Sequence, residues 1–440
     1  MEPNLFLQLI FNMMNYYSLT NHNHRVNFQQ AVIKGLAPDR GLYFPQFIPH
    51  YSTAEWNDFA TLELIELAQI LISPFVNKEI PEDILHDIIS DTLSFPFPLK
   101  ELDKDVFALE LFHGATMAFK DVGAKFLAGC LAHFRQEKEL TILVATSGDT
   151  GGAVANSFLN VEGINVVILY PSGKVSNLQE KQLTTLGGNI KAIEVNGDFD
   201  SCQALVKQAF MDENLNKTMN LSSANSINIA RWLPQFFYYL SAWAQLKSSR
   251  NPPVFSVPSG NFGNIAAGVL AMKMGMPVKS FIAATNSNDT VPRYFNNGLY
   301  APEPTVATMS NAMDVSNPSN FVRLRALFDA DDHMKQYVQS IAINEIETIN
   351  TIKSVHQKFG YIIEPHGAVA YTALKKSEAK SYPMVFLETA HPIKFPQIVE
   401  DVLEVNIPIP DQVSGLLNIP KFSIKMDADY QIFRDFLETC

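Results

Sequence analysis

One lysine in this chain has neighbours suited to covalent chemistry. Lys120 lies in Leu111-Phe112-His113-Gly114-Ala115-Thr116-Met117-Ala118-Phe119-Lys120-Asp121, at the start of an expected helix. Met117, Ala118 and Phe119 come before it; Val122, Phe126 and Leu127 come after. An apolar setting disfavours the ammonium, and the neutral amine is the form that makes a Schiff base with an aldehyde. Most lysines occupy solvated helix faces, so this stretch needs partners elsewhere in the chain to carry the reading.

Three further stretches supply candidates. Gly260-Asn261-Phe262-Gly263-Asn264 follows the apolar run Val254-Phe255-Ser256-Val257 and precedes an expected helix over 265–274. Glycines let the backbone come close to a ligand, and a helix start offers unpaired N–H groups and partial positive charge. Together they form an anion seat without a basic side chain. The stretch has neither GK[ST] nor GxGxxG spacing, and taken alone it also reads as an ordinary tight turn. Ser147-Gly148-Asp149-Thr150-Gly151 is a second such turn, whose hydroxyls and N–H groups suit a carboxylate, with Asp149 or Thr150 equally suited to capping a helix. In Glu388-Thr389-Ala390-His391-Pro392, the Thr389 hydroxyl suits a ring nitrogen, whereas His391 beside a proline reads as structural.

These turns need a scaffold that brings them together. Apolar runs at 140–145, 164–170, 190–195, 254–257, 278–284 and 384–387 alternate with helical patterns, which predicts α/β architecture with a mostly parallel sheet. Ligands in such sheets bind beyond the carboxyl ends of the strands, where both glycine-rich turns fall. Residues 14–100 read as a helical domain with few strands. Helices are expected at 28–33, ending at Gly35, and around 53–72 and 81–93. Pro81 is expected near the first turn of the last of these, where a missing N–H costs little. Residues 1–13 read as a loosely attached, disordered extension.

Bulk properties exclude several functions. The 440 residues suffice for two or three domains, and 47% hydrophobic residues allow a large core. A net charge of −12 argues against nucleic acid or an anionic membrane as a partner. Cys130, Cys202 and Cys440 form no CxxC pair, so neither zinc nor a disulfide framework is expected and a cytoplasmic setting fits. No run approaches the ~20 apolar residues of a membrane span. His22 and His24 lack the companions of a metal site, and none is expected.

In combination the four stretches are specific. His-Gly-x-Thr-x-Ala-Phe-Lys-Asp, Thr-Ser-Gly-Asp-Thr-Gly-Gly-Ala, Pro-Ser-Gly-Asn-Phe-Gly-Asn and Thr-Ala-His-Pro-x-Lys-Phe, in that order, resemble the long-form threonine synthases. Gly35–Tyr43, Asn225-Ser226-Ile227-Asn228, Arg231, Met313-Asp314 and Ser319-Asn320-Phe321 extend the resemblance from about Tyr16 to the C-terminus. It implies fold type II of the pyridoxal-phosphate enzymes: two mostly parallel three-layer α/β domains plus a helical N-terminal domain. The catalytic region would span 101–440, with a smaller mobile subdomain at about 125–225. It implies pyridoxal 5'-phosphate on Lys120, its phosphate at Gly260, Asn261, Phe262, Gly263 and Asn264, and its pyridine nitrogen at Thr389. Ser147, Gly148, Asp149 and Thr150 would meet the substrate carboxylate and ring edge. Asn228 and Arg231 would lie at the far end of the substrate, with Lys174 and Arg293 as alternative cations. The implied substrate is O-phospho-L-homoserine, and the implied assembly is a monomer or homodimer. A related phospho-lyase, releasing a 2-oxo acid, ammonia and phosphate, is the alternative. A non-catalytic binding protein on this fold would be expected to have lost Lys120 or the 260–264 turn.

Three positions depart from the family pattern. Ala115 stands for a usual proline, Arg40 for a frequent glycine, and Glu364-Pro365-His366-Gly367 for the commoner Asp-Pro-His-Thr.

Overall fold

The computed structural model describes residues 14–135, 139–247, 249, 251–378 and 381–439, so the expected extension over 1–13 lies outside the described residues. In chain order the strands are β1 (Tyr16–Ser18), β2 (Arg25–Val26), β3 (Tyr43–Pro45), β4 (Leu99–Asp103), β5 (Val106–Glu110), β6 (Leu140–Ala145) and β7 (Ile164–Pro171). They continue with β8 (Ile190–Asn196), β9 (Asn220–Ser223), β10 (Val254–Pro258), β11 (Ser280–Thr285), β12 (Val338–Ala342), β13 (Met384–Glu388) and β14 (Ile424–Asp427).

They form three sheets. The larger α/β unit has the order β12-β11-β10-β13-β5-β4, parallel except for antiparallel β4. The smaller has the order β14-β8-β7-β6-β9, all parallel. β6 and β7 are rich in Ile, Val and Leu and buried along nearly their whole length, as strands covered on both faces must be. The expected strands are present, shifted by one or two residues at their ends. β14 was not anticipated. It comes from the far C-terminus and adds an edge strand to the smaller sheet, so that unit draws on chain well beyond 225.

The N-terminal region differs from expectation in two ways. Besides its helices it holds the antiparallel sheet β2-β1-β3, built from strands too short to show periodicity. The helical pattern over 53–72 is two helices, Thr53–Phe59 and Leu64–Val76, each with a capping-box arrangement at its start. Pro81 is the N-cap of helix Glu82–Thr92, next to its first turn as expected. Tyr16, Phe28, Trp56 and Phe75 of this region share one apolar core with Phe126, Trp232 and Phe281. The N-terminal region is therefore packed against the α/β units. Among the described residues no helix is long and apolar enough to cross a membrane.

Two of the departures have local explanations. Arg40 has φ of 65°, in the left-handed region that favours glycine. A Cβ on Gly367 would lie 1.5 Å from Oε2 of the fully buried Glu388. Glycine at 367 makes room for that carboxyl group, which a threonine would displace. Ala115 is exposed, and nothing in the structure explains it.

Candidate active site

Lys120 opens helix Lys120–His133. The loop before it is folded by its own side chains. Asp121 accepts from Thr116 N–H at 2.9 Å and from the Thr116 hydroxyl. A Cβ on Gly114 would lie 2.4 Å from the same carboxylate, so this glycine is required for the turn. Met117 takes a left-handed φ of 58°. Ala118 then bridges to Ala390, and Phe119 N–H donates to Thr389 O at 2.8 Å. This short pairing joins the segment of Thr389 to the residues just before Lys120, 269 positions away in sequence.

Lys120 is half-buried, and its amine has no hydrogen-bond partner among the described residues. Burial lowers its pKa; Asp149 opposes this, while Arg231 and Lys394 add to it. The helix start acts in the same direction, because its partial positive charge disfavours an ammonium.

Residues 260–264 follow β10, which pairs with β13, the strand leading to Thr389. Phe262 adopts φ of 60° and helix Gly263–Lys273 begins after it. The N–H groups of Asn261, Phe262, Gly263, Asn264 and Ile265 find no acceptor among the described residues, and Asn264 Nδ2 is buried without a partner. Such a concentration of unmet donors at a helix start fits a phosphate. Thr389 is 7% exposed, and its hydroxyl has no partner among the described residues.

Sequence reasoning missed what joins the two halves. Helix Phe236–Leu246 carries Tyr238 and Tyr239 side by side. Tyr238 donates to the carbonyl of Phe119, the residue before Lys120. The Tyr239 hydroxyl lies 2.7 Å from Asn264 Oδ1 and 3.1 Å from Asn264 O. One helix thus ties the Lys120 loop to the 260–264 turn. Within Phe236-Phe237-Tyr238-Tyr239 the tyrosines look like core aromatics, and only their long-range partners set them apart.

Around the second turn, Thr146 Oγ1 accepts from Gly148 N–H at 3.0 Å and Gly151 N–H at 2.8 Å. Ser147 and Thr150 are half-buried, and their hydroxyls stay unpaired among the described residues. Asp149 faces inward. Its carboxylate meets Lys394 Nζ at 3.0 Å and accepts from Gln179 Nε2 at 2.9 Å. Burial pushes its pKa up, but the Lys394 ammonium and then Lys120 outweigh this and hold it well below the usual carboxylate range. Asp149 therefore anchors the turn, and Ser147, Thr150 and the main chain are what remain to meet a substrate. Lys394, the lysine of the last motif, is 0% exposed and also donates to Thr116 O and Gln182 Oε1.

Gly148 has φ of 135°, and a Cβ there would lie 2.5 Å from the Gln179 amide carbon. We expect Gly148→Ala to distort the turn, at a strain of about 1–3 kcal/mol. Steady-state kinetics should show KM for the substrate raised roughly tenfold or more.

The two candidates for the far end of the substrate separate. Both amide protons of fully buried Asn228 are engaged, by Val32 O at 2.9 Å and Ser223 O at 3.2 Å, and its Oδ1 caps Ala230 N–H. It works as a helix cap. Arg231 is 4% exposed and donates to Ala224 O, but its buried Nε has no partner. It packs on the lysine helix, where a Cβ on Gly123 would lie 3.0 Å from Nε. Arg293 is paired with Asp289 at 2.8 Å and Glu303 at 2.9 Å, and Lys174 is exposed.

His391 Nδ1 accepts from Ile393 N–H at 3.1 Å, a capping role. Burial, then His113, lowers its pKa from 6.5 to about 4, so it is neutral at pH 7. Its contribution to stability is present above pH 6.5 and lost as pH falls through about 4. His391→Asn, which keeps an acceptor, should leave the pH–rate profile between pH 6 and 8 unchanged while flattening the loss of stability between pH 6.5 and 4.

Comparison with known proteins gives the family. The pyridoxal-phosphate dependent enzyme family profile matches residues 90–389, the threonine synthase N terminus 15–93 and the threonine synthase C-terminal region 367–437. Threonine synthase from Haemophilus influenzae is 47% identical, over 96% of this chain and 99% of that one. The crystal structure of threonine synthase from Escherichia coli superposes with TM-score 0.91 at 45% identity, covering 97% of this chain and 100% of the other. A pyridoxal-phosphate-bound threonine synthase from Brucella melitensis gives TM-score 0.91 at 33% identity, over 97% and 99%. With family profiles covering most of the chain and relatives matching over almost its full length, the chain belongs to the threonine synthase family of pyridoxal-phosphate-dependent lyases.

Proposed function

We propose that the residues gathered around Lys120 carry the threonine synthase reaction, in which O-phospho-L-homoserine and water give L-threonine and phosphate. The observation that supports the assignment is the backbone pairing of 117–119 with 389–391, which joins the segment before Lys120 to the segment of Thr389. Pyridoxal phosphate, when bound, supplies an electron sink conjugated to the substrate's carbon skeleton. The N–H groups of 261–265 would hold its phosphate, the Thr389 hydroxyl would meet its ring nitrogen, and Lys120 would be its point of attachment.

Lys120 Nζ takes the substrate Cα proton and moves protons at later carbons, helped by the lowered pKa that favours its neutral form. The Ser147–Thr150 turn binds the substrate carboxylate through two hydroxyls and main-chain N–H groups. Arg231, a buried cation packed on the lysine helix, is the side chain assigned to the phosphate that leaves from Cγ. Water must be kept out until it adds at Cβ, so the smaller α/β unit closes over the site. A monomer or homodimer suits this reading, since a single chain holds every group named.

The names of the relatives favour threonine over a 2-oxo acid and ammonia as product. The test is O-phosphohomoserine with holoenzyme, with phosphate and threonine measured in one tube. Equal amounts support the reading; phosphate with ammonia in place of threonine would transfer the chain to the phospho-lyase alternative.

A further inference from the structure

Arg323, in helix Phe321–Ala326, is 0% exposed. Its Nε and Nη2 donate to Tyr43 O at 3.3 and 3.0 Å, and Nη2 also reaches Ile227 O at 2.7 Å. Nη1 donates to Ser226 O at 3.3 Å and Asn320 Oδ1 at 2.8 Å. The Trp232 ring centroid lies 4.9 Å from Cζ. Every acceptor is neutral, and among the described residues no carboxylate pairs with it. Burial pushes its pKa down to about 9, so it remains a cation at neutral pH. A buried charge held only by dipoles is costly unless an anion lies near.

The anion seat is one residue away. Asn320, which takes Arg323 on its Oδ1, donates its own N–H to Asn261 O at 3.1 Å. Its Nδ2 lies 3.4 Å from where a Cβ on Gly263 would stand. The helix start at Gly263 supplies only about half a positive charge, against the nearly two negative charges of a phosphate monoester. No basic side chain belongs to residues 260–264 themselves.

Resting on the reading of residues 260–264 as the phosphate seat, we infer that Arg323 is the counter-charge for the cofactor phosphate, acting from behind the loop through Asn320. These two positioning residues then set the preference for pyridoxal phosphate over unphosphorylated pyridoxal. The arrangement joins cofactor loading to the N-terminal region, because the same guanidinium holds the Tyr43 carbonyl at the end of the short sheet.

The experiment measures binding of pyridoxal phosphate and of pyridoxal to full-length apoenzyme by absorbance titration. Wild type should prefer the phosphorylated form strongly. Arg323→Gln should shrink that preference about tenfold or more with pyridoxal affinity nearly unchanged, and Arg323→Lys should keep most of it. Asn320→Ala should give a several-fold loss of preference, and it decides the matter if Arg323→Gln does not fold. Equal weakening of both ligands, or an unchanged ratio in folded Asn320→Ala, would overturn the inference. A wild-type protein indifferent to the phosphate would instead sink the seat itself, a distinguishable result.

Discussion

Replacing Lys120 by Ala should remove turnover by about 10⁴-fold or more and abolish the visible absorbance of cofactor bound to the protein. Both losses have one cause. In the proposed reaction Lys120 supplies the amine that attaches the aldehyde and the base that moves protons at the substrate. The fold should survive the change: Lys120 opens its helix, has no hydrogen-bond partner, and alanine is a good helix former. Stability close to wild type, read by thermal unfolding of both apoenzymes, therefore belongs to the prediction. A Lys120→Ala protein with ordinary activity and a normal visible spectrum would refute the assignment.

Lys394→Met should be the most destabilising single change near the site, at about 3–5 kcal/mol, because it leaves the Asp149 carboxylate buried without its cation. Lys394 holds the Ser147–Thr150 turn to Thr116 and so to the Lys120 loop, so activity should fall with stability. The pH dependence has a definite sign. Asp149 has a folded pKa below its ordinary value; its contribution is present above the unfolded pKa and lost as pH falls through the folded one. Without Lys394 the carboxyl pKa rises, and acid unfolding should begin at higher pH. Asp149→Asn combined with Lys394→Met should recover part of the loss, the non-additivity expected of a paired group. Urea unfolding of the four proteins in the cycle checks this, and simple additivity would mean the ion pair has no special weight.

The chemistry-bearing stretches were legible because each requires particular residue types within a few positions. Gly114 clears the Asp121 carboxylate, Gly148 occupies a φ that side chains avoid, and Phe262 turns the chain into helix Gly263–Lys273. The strands feeding these turns were legible as runs of branched apolar residues. The three-stranded N-terminal sheet was not, since two or three residues per strand carry no measurable alternation. Asn228 and Asp149 look like ligands in a linear reading. Structure commits the first to carbonyls on two other segments and the second to a lysine 245 positions away.

By itself, the order of residues determined the candidate lysine, the two glycine-rich turns, the cofactor class and the family. Those depend on local backbone demands and on side-chain chemistry that no fold can alter. Tertiary structure alone decided which polar groups stay free for ligands. Tyr238, Tyr239, Lys394 and Arg323 gain their roles from partners more than 100 positions distant in most cases, such as Tyr238 with Phe119 and Arg323 with Tyr43. A buried donor must be paired, and its partner is fixed by packing in space and not by spacing along the chain.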